Sequence, residues 1–464
     1  MNVKAARRGA KSVMISANLA GGDCLNVGCV PSKALIRCAK MIREVKKAQT
    51  CSEFGVQIGG EVQVDFPQIM ERMRKMRAKI APIDGHNLGS DIGVTVLQGF
   101  GKFVDENTIE VIHPKSSESP TLLKFRKAVI ATGGRATIVP SIPGLSDSPY
   151  ITNETLFNLS KLPSRMIILG SGVVALEMAQ TFAAFGSKVT VLVRSDKLFP
   201  RADPDVGPMI REALEEDGVE FLTLAKISSV ETIRKASNEF DLPLIKVSVD
   251  TDGKNIDLEC ECLLVAAGRT PNVEKLNLEA ANVEYSLKDG IIVDDNARSV
   301  SNKNVYSVGD CTAGVPRLTH MSGEMAKVVV QNSLFDDDWK LSSLVVPACM
   351  YTEPEYASVG ITNAPEDEVD VYKASLEHND RAILESDNKY GYAKVFCKKG
   401  TGTIIGCTVI ASRAGEIINE VSLAMKHNVP LEGIGRNIHS YPTTGEALMM
   451  CGLQLINSKW KRLD

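Results

Sequence analysis

The chain is short of several things that would otherwise decide its class. No apolar run reaches the ~20 residues needed to cross a bilayer, and the start carries no secretory leader, so a membrane role is not expected. Positive charge is not in excess: 53 Lys and Arg against 57 Asp and Glu leave a net charge of -4, which gives nucleic acid or anionic lipid no broad basic field to bind. The one dense basic stretch, ERMRKMRAK at 71–79, has apolar residues at helical spacing and reads as a solvated helix face. Histidine is scarce at six, and no second close-spaced pair accompanies Cys24 and Cys29, so the four clustered ligands of a zinc site are not expected. Repeats and low-complexity tracts are absent. Disulfide staples are not needed either, because 464 residues suffice for roughly two to four domains with cores of their own. The other nine cysteines (38, 51, 260, 262, 311, 349, 397, 407, 451) are scattered, mostly in apolar contexts, as in a reducing compartment such as cytoplasm or an organellar matrix.

What is present is a rhythm of short β-branched runs followed by helical patterns: KAVIATGG (127–134), RMIILGSG (165–172), KVTVLVR (188–194), CLLVAAGR (262–269) and NVYSVGDC (304–311). This alternation predicts an α/β fold with parallel sheets covered by helices. After about residue 345 it gives way to alternating strands, EYASVG and YAKVFCKKGTGTIIGCTVI, and helices such as AGEIINEVSLAMKHN, which predicts a separate α+β domain. Pro/Gly-rich stretches at 140–150, 269–276 and 342–349 suggest boundaries, giving expected segments of 1–148, 149–272, 273–343 and 344–464. The second is expected to be a nucleotide-binding unit inserted into an outer one.

In IILGSGVVALEMAQTFAAFGSKVTVLVR a strand runs into Gly170-Ser171-Gly172, and Ala175 stands where a dinucleotide fingerprint accepts glycine or alanine. Gly170 permits the tight turn, Gly172 lets backbone approach a pyrophosphate, and the helix that follows offers its positive N-terminus. At the end of the next strand Val193 occupies the position of the acid that would bind the ribose hydroxyl of NAD. Arg194, Ser195, Lys197 and Arg201 follow. Cations favour a 2′-phosphate, so NADPH is expected ahead of NADH.

The stretch GGDCLNVGCVPSKAL (21–35) sets Cys24 and Cys29 five positions apart. Five residues of regular helix rise about 7.5 Å, too far for a relaxed disulfide. Bridging them requires a distorted turn, which Gly28 would allow. Pro31 at an early helical position would put Cys29 near a helix N-terminus, where a thiolate is stabilised. A reversible redox couple fits best.

Taken in order, GGDCLNVGCVPSKAL, ATGG (131–134), GSGVVALEMA, LLVAAGRTPN, VYSVGDC and YPTTGEAL resemble the flavin-dependent pyridine nucleotide-disulfide oxidoreductases, over nearly the whole chain and most closely their mercuric-reductase-like members. The resemblance implies two Rossmann-like domains, for FAD and NAD(P)H, and a C-terminal α+β dimerisation domain, in a homodimeric enzyme. It implies that Cys29 lies against the flavin and that Cys24 is the exchanging sulfur. Lys33 would sit near the flavin N5 and pair with Glu177, Asp310 would meet the ribityl and phosphate region, and Thr132 and Gly133 would line the FAD site. Gly268 would join the NADPH side.

Two features depart from the family. Its disulfide reductases carry a catalytic His five residues before a Glu; here Tyr441 and Glu446 hold that spacing, and tyrosine, with a pKa of about 10, is a poor base. Lipoamide and glutathione are therefore disfavoured, and His439 is a weak substitute. The neighbouring C-terminal cysteines that deliver Hg(II) in mercuric reductases are also absent, Cys451 standing alone, so the small acceptor is Hg(II), a disulfide, a quinone, another electrophile or oxygen. The second departure is that SVMIS has no strand and glycine turn before it, so the first parallel sheet is expected to lack a strand and the flavin its main phosphate site. Either the start is truncated, the favoured reading, or the chain is a flavin-poor NADPH-binding or redox-sensing paralogue.

Overall fold

The computed structural model describes residues 2–113, 119–139, 141–238, 240–365 and 367–460; Met1 and the first residue of the 140–150 stretch lie outside them. From the N-terminal side run β1 (Val13–Ser16), α1 (Gly22–Val27), α2 (Cys29–Thr50), α3 (Phe66–Asp84), β2 (Thr95–Gln98) and β3 (Ala128–Ile130). Then come β4 (Arg165–Leu169), α4 (Val173–Phe185), β5 (Lys188–Leu192), β6 (Val219–Leu222) and β7 (Cys262–Val265). The chain returns with β8 (Val305–Ser307) and α5 (Thr319–Phe335). It closes with β9 (Ala348–Met350), β10 (Glu355–Gly360), β11 (Val369–Ser375), β12 (Tyr392–Lys398), β13 (Ile404–Ala411), α6 (Ala414–Lys426) and α7 (Glu446–Ser458). Each β-branched run singled out in the sequence is a strand, and 71–79 lies within α3.

The middle unit is a four-stranded parallel sheet in the order β6-β5-β4-β7. All four residues of β7 are buried, as expected of a parallel sheet covered on both faces. The first unit is different. Among the described residues β1 pairs in parallel with β2 alone, Val13 opposite Thr95, and β3 with β8 alone, Ala128 opposite Val305. None of β1 is buried, and Val13 is 43% exposed. The C-terminal unit is a five-stranded antiparallel sheet, β9-β10-β13-β12-β11, with α6 and α7 packed on it.

One apolar core runs through all three units. Leu35 of α2 and Met70 and Met73 of α3 are fully buried against α4, where the rings of Phe66, Phe182 and Phe185 lie 5.8–6.1 Å apart edge to face or tilted. The same core continues to Met350, Tyr392 and Ile410 of the C-terminal sheet. Packing α2 against α4 is what carries Lys33 to Glu177.

Candidate active site

Gly28 divides the cysteine stretch into two helices, α1 ending at Val27 and α2 starting at Cys29. A Cβ at this glycine would stand 2.9 Å from the Asp23 carbonyl oxygen, so the close approach of the two turns requires glycine. Pro31 is the third residue of α2, where its missing N–H costs nothing. Cys29 therefore opens a 22-residue helix at its positive end.

Both cysteines are free thiols, half-buried and hydrogen-bonded to each other. That bond divides them. It is the largest influence lowering Cys29 to about 6, reinforced against the cost of burial by the Thr319 hydroxyl, the Lys33 charge and the backbone N–H of Cys29. The same bond, with burial and the Cys29 charge, pushes Cys24 far above an ordinary thiol. Near neutrality the pair is a Cys29 thiolate receiving the Cys24 S–H. Thr319, the first residue of α5, places its Oγ1 3.2 Å from the Cys29 sulfur.

Behind Cys29 on the same helix, Lys33 Nζ donates to both carboxylate oxygens of Glu177, at 2.9 and 2.7 Å. Glu177 is 3% exposed and also accepts the Tyr351 N–H at 2.9 Å, while the ammonium lies 4.5 Å from the centre of the Tyr351 ring. Such a pair keeps a partly exposed cation one turn behind Cys29 without leaving a buried carboxylate alone.

Asp310 follows β8 and is held by Arg269, whose Nε donates to it at 2.7 Å; the same guanidinium donates to Asp23 at 2.6 Å and to the Gly134 carbonyl at 2.8 Å. Arg269 thus ties the helix of Cys24 to Asp310. Thr132 lies just past the end of β3, exposed, its hydroxyl donating to the Asn272 carbonyl at 2.7 Å. Gly133 has φ +67 and open space where a Cβ would be.

Gly170, Gly172 and Ala175 lie where the fingerprint put them, between β4 and the first turn of α4. Gly170 has φ +118, and a Cβ there would be 2.4 Å from the Ala266 carbonyl; at Gly172 it would meet nothing within 4 Å, which leaves the helix N-terminus open to a phosphate. Arg194 and Ser195 follow β5 and Gly268 follows β7, so these residues gather at the carboxyl ends of the parallel strands, where open α/β sheets take ligands. Val193 is fully buried, and Arg194, Lys197 and Arg201 are exposed without an ion pair among the described residues.

Tyr441 and Glu446 are hydrogen-bonded to different neighbours, although the Glu446 charge still acts on the phenol. The Tyr441 hydroxyl donates to Asp380 at 2.7 Å, which raises its pKa further, and Glu446 accepts the Thr443 N–H at the start of α7. His439 pairs instead with Glu420 at 3.1 Å. Sequence reasoning passed over Thr319 and Tyr351, and it quoted Asp23 and Arg269 only inside longer stretches, with no role given to either. Their signal was weak, since each acts on a partner far away in the chain.

Residues 2–326 match the family model described as pyridine nucleotide-disulphide oxidoreductase, and 346–450 match its dimerisation domain. The chain belongs to that family. It is 31% identical to a mercuric reductase of Lysinibacillus sphaericus over 99% of its own length and 81% of the relative's. It is 30% identical to a dihydrolipoyl dehydrogenase of Staphylococcus aureus, covering 96% and 92%. Among solved structures, the Cu(II) complex of the HOCl-induced flavoprotein disulfide reductase RclA from Escherichia coli superposes with a TM-score of 0.83 at 25% identity, covering 98% and 96%. LpdA from Mycobacterium tuberculosis shares the fold, with a TM-score of 0.84 at 24% identity over 98% of this chain and 96% of that one. The protein is accordingly an oxidoreductase of this flavoprotein disulfide reductase family, which binds FAD and uses NAD(P)H. Among the described residues no helix is long and apolar enough to cross a membrane.

The residues present fit the redox-active end of FAD. Arg269 joins the Asp310 carboxyl and the Gly134 carbonyl, next to the open turn at Gly133, to Asp23 beside Cys24, and the Lys33 ammonium lies one turn along the helix that Cys29 opens. For the pyrophosphate end, no second strand–glycine–helix turn like that at Gly170 occurs among the described residues.

Proposed function

We propose that the protein passes two electrons from NADPH, through FAD, to a Cys24–Cys29 disulfide and on to a small acceptor, in the manner of mercuric reductases. The place of Cys29 at the N-terminus of α2, with the Thr319 hydroxyl 3.2 Å from its sulfur and the Lys33–Glu177 pair one turn behind it, carries this reading. FAD, when bound, supplies the two-electron relay between nicotinamide and sulfur. Two electrons and one proton convert the disulfide to the state found here: the S–S bond breaks, Cys24 takes the proton, and Cys29 remains a thiolate steadied by Cys24, Thr319 and Lys33. Lys33, fixed by Glu177, holds positive charge where the flavin ring would lie. Thr132, Gly133 and Asp310 would hold its ribityl side. Gly170, Gly172, Ala175 and Gly268 would cradle the dinucleotide, and Arg194 and Ser195 would select the 2′-phosphate. The acceptor is then reduced at Cys24, and the disulfide re-forms.

Tyr441 argues against a thiol substrate that needs a base, because Asp380 raises the phenol further from neutrality. This separates the reading from dihydrolipoyl dehydrogenase. The matched dimerisation domain supports a homodimer. Anaerobic titration of the purified protein with NADPH tests the proposal. The first equivalent passes on to the disulfide, so two thiols become titratable and a long-wavelength thiolate-to-flavin band appears while the flavin stays oxidised; a second equivalent then bleaches the flavin absorbance. Bleaching with no new thiols would reject the role of the cysteine pair, and a protein that releases no FAD on denaturation would reject the relay.

A further inference from the structure

The segment after β5 that carries Arg194, Lys197 and Arg201 is held at its two ends by different parts of the molecule. Its near end is tied to its own unit, the Ser195 carbonyl accepting the Leu224 N–H at 3.1 Å. Its far end is tied to the C-terminal sheet. Lys394 of β12 places Nζ 2.7 Å from Asp203 and 2.8 Å from Asp205, and Lys373 of β11 donates to Asp205 at 2.9 Å. The Asp203 side chain is fully buried and that of Lys394 is 12% exposed. Tyr392, itself buried, packs its ring beneath both ammonium groups, at 5.4 Å from Lys394 and 4.6 Å from Lys373. Phe199 in mid-segment packs at a tilt against Tyr356 of β10 with ring centres 5.6 Å apart.

Desolvating the Asp203 carboxylate and most of the Lys394 ammonium is costly, and apolar side chains of the same volume would hold two units together as well or better. What the ions add is a fixed register, since Lys394 reaches both carboxylates only when residues 203–205 sit in one position. We propose that Lys394, with Lys373, is a positioning residue for dinucleotide selection: from the C-terminal sheet it clamps the segment so that the exposed cations between Arg194 and Arg201 face the ribose phosphate. This rests on the assignment of that segment to the 2′-phosphate. Preference for NADPH is then a property of two units together, although only one of them touches the nucleotide.

The test uses the full-length protein. Lys394→Met alone strands a buried Asp203, so Lys394→Met/Asp203→Asn is made beside it, removing both charges, and Lys373→Met supplies a milder variant at a side chain that is 43% exposed. Two readouts are taken: hydrogen exchange of amides 194–202, and dissociation constants for NADP⁺ and NAD⁺. In the double variant the segment's amides exchange faster, and NADP⁺ binding weakens by about tenfold, within the usual range of coupling between sites, while NAD⁺ binding changes by less than about threefold. Lys373→Met shifts both in the same direction by less. Unchanged exchange together with an unchanged NADP⁺ to NAD⁺ ratio overturns the clamp. Equal loss of both nucleotides also overturns it, since that is what general loosening would do. If the unaltered protein binds NADP⁺ no more tightly than NAD⁺, the assignment of the segment falls instead, and the clamp's role in selection falls with it.

Discussion

At the scale of single residues, the cysteine pair works by inequality. The hydrogen bond from Cys24 is the first cause of the low Cys29 value, so Cys24→Ala returns the Cys29 thiol from about 6 toward its ordinary value of 9.0. The pH profile of alkylation by iodoacetamide reads this directly, and an unshifted midpoint would mean that Lys33 and Thr319 suffice. The sign for stability follows from the same shift. A thiol whose folded pKa is lowered contributes stability that is full above the unfolded value and is lost as pH falls through about 6, so the dithiol form is less stable to denaturant at pH 5 than at pH 9 by this contribution. Lys33 and Glu177 offer a second test. Lys33→Met leaves Glu177 buried without its cation and costs roughly 2–4 kcal/mol, below the full range for buried pairs because the Lys33 side chain is 38% exposed. Adding Glu177→Gln recovers most of the thermal midpoint but not the turnover, which remains at least about tenfold down if the ammonium acts on the flavin. Recovery of both would make the pair purely structural.

At the scale of elements, the break at Gly28 is what separates a redox couple from two cysteines on one helix. Gly28→Ala pushes a methyl against the Asp23 carbonyl and is expected to cost about 1–3 kcal/mol. It also spreads the two sulfurs, so the reduction potential of the disulfide, measured against a glutathione buffer, changes; an unchanged potential would show that α1 and α2 adapt freely. This break was legible in the sequence because its signals are local: a glycine before Cys29, a proline after it, and helical periodicity beyond. The strands were legible for the same reason, each being a β-branched run flanked by turn residues. What escaped notice is non-local. Thr319 reaches Cys29 across 290 positions, Arg269 reaches Asp23 across 246, and Lys394 reaches Asp203 across 191. No local pattern marks Arg269 as the link between α1 and Asp310. The Tyr441 and Glu446 spacing is a local signal too, but a matching interval does not fix partners: within the chain the two bond to different neighbours, Asp380 and the start of α7.

At the scale of the whole molecule, the C-terminal unit presents apolar side chains that the single chain leaves uncovered. Ile438 is 94% exposed, Tyr441 72% and Leu423 63%, on a stretch that runs from α6 to the turn before α7. Single exposed apolar residues are ordinary, but a nearly naked isoleucine beside an exposed aromatic, within a matched dimerisation domain, is what an interface between two copies requires. Ile438→Asp places a charge where a symmetric contact would bury it twice, and the penalty therefore counts double per dimer. Sedimentation at micromolar concentration is expected to show the unaltered protein at twice the monomer mass and the variant at the monomer mass, with near-native circular dichroism, because the side chain contributes nothing to the core of its own chain. The clamp adds a second consequence. Since β11 and β12 belong to the same unit as this face and also hold the nucleotide-selecting segment, dissociation is expected to weaken NADP⁺ binding without touching any residue near the nucleotide. A monomeric variant with undiminished NADP⁺ affinity would show that the C-terminal sheet holds its register alone and that assembly and cofactor choice are independent.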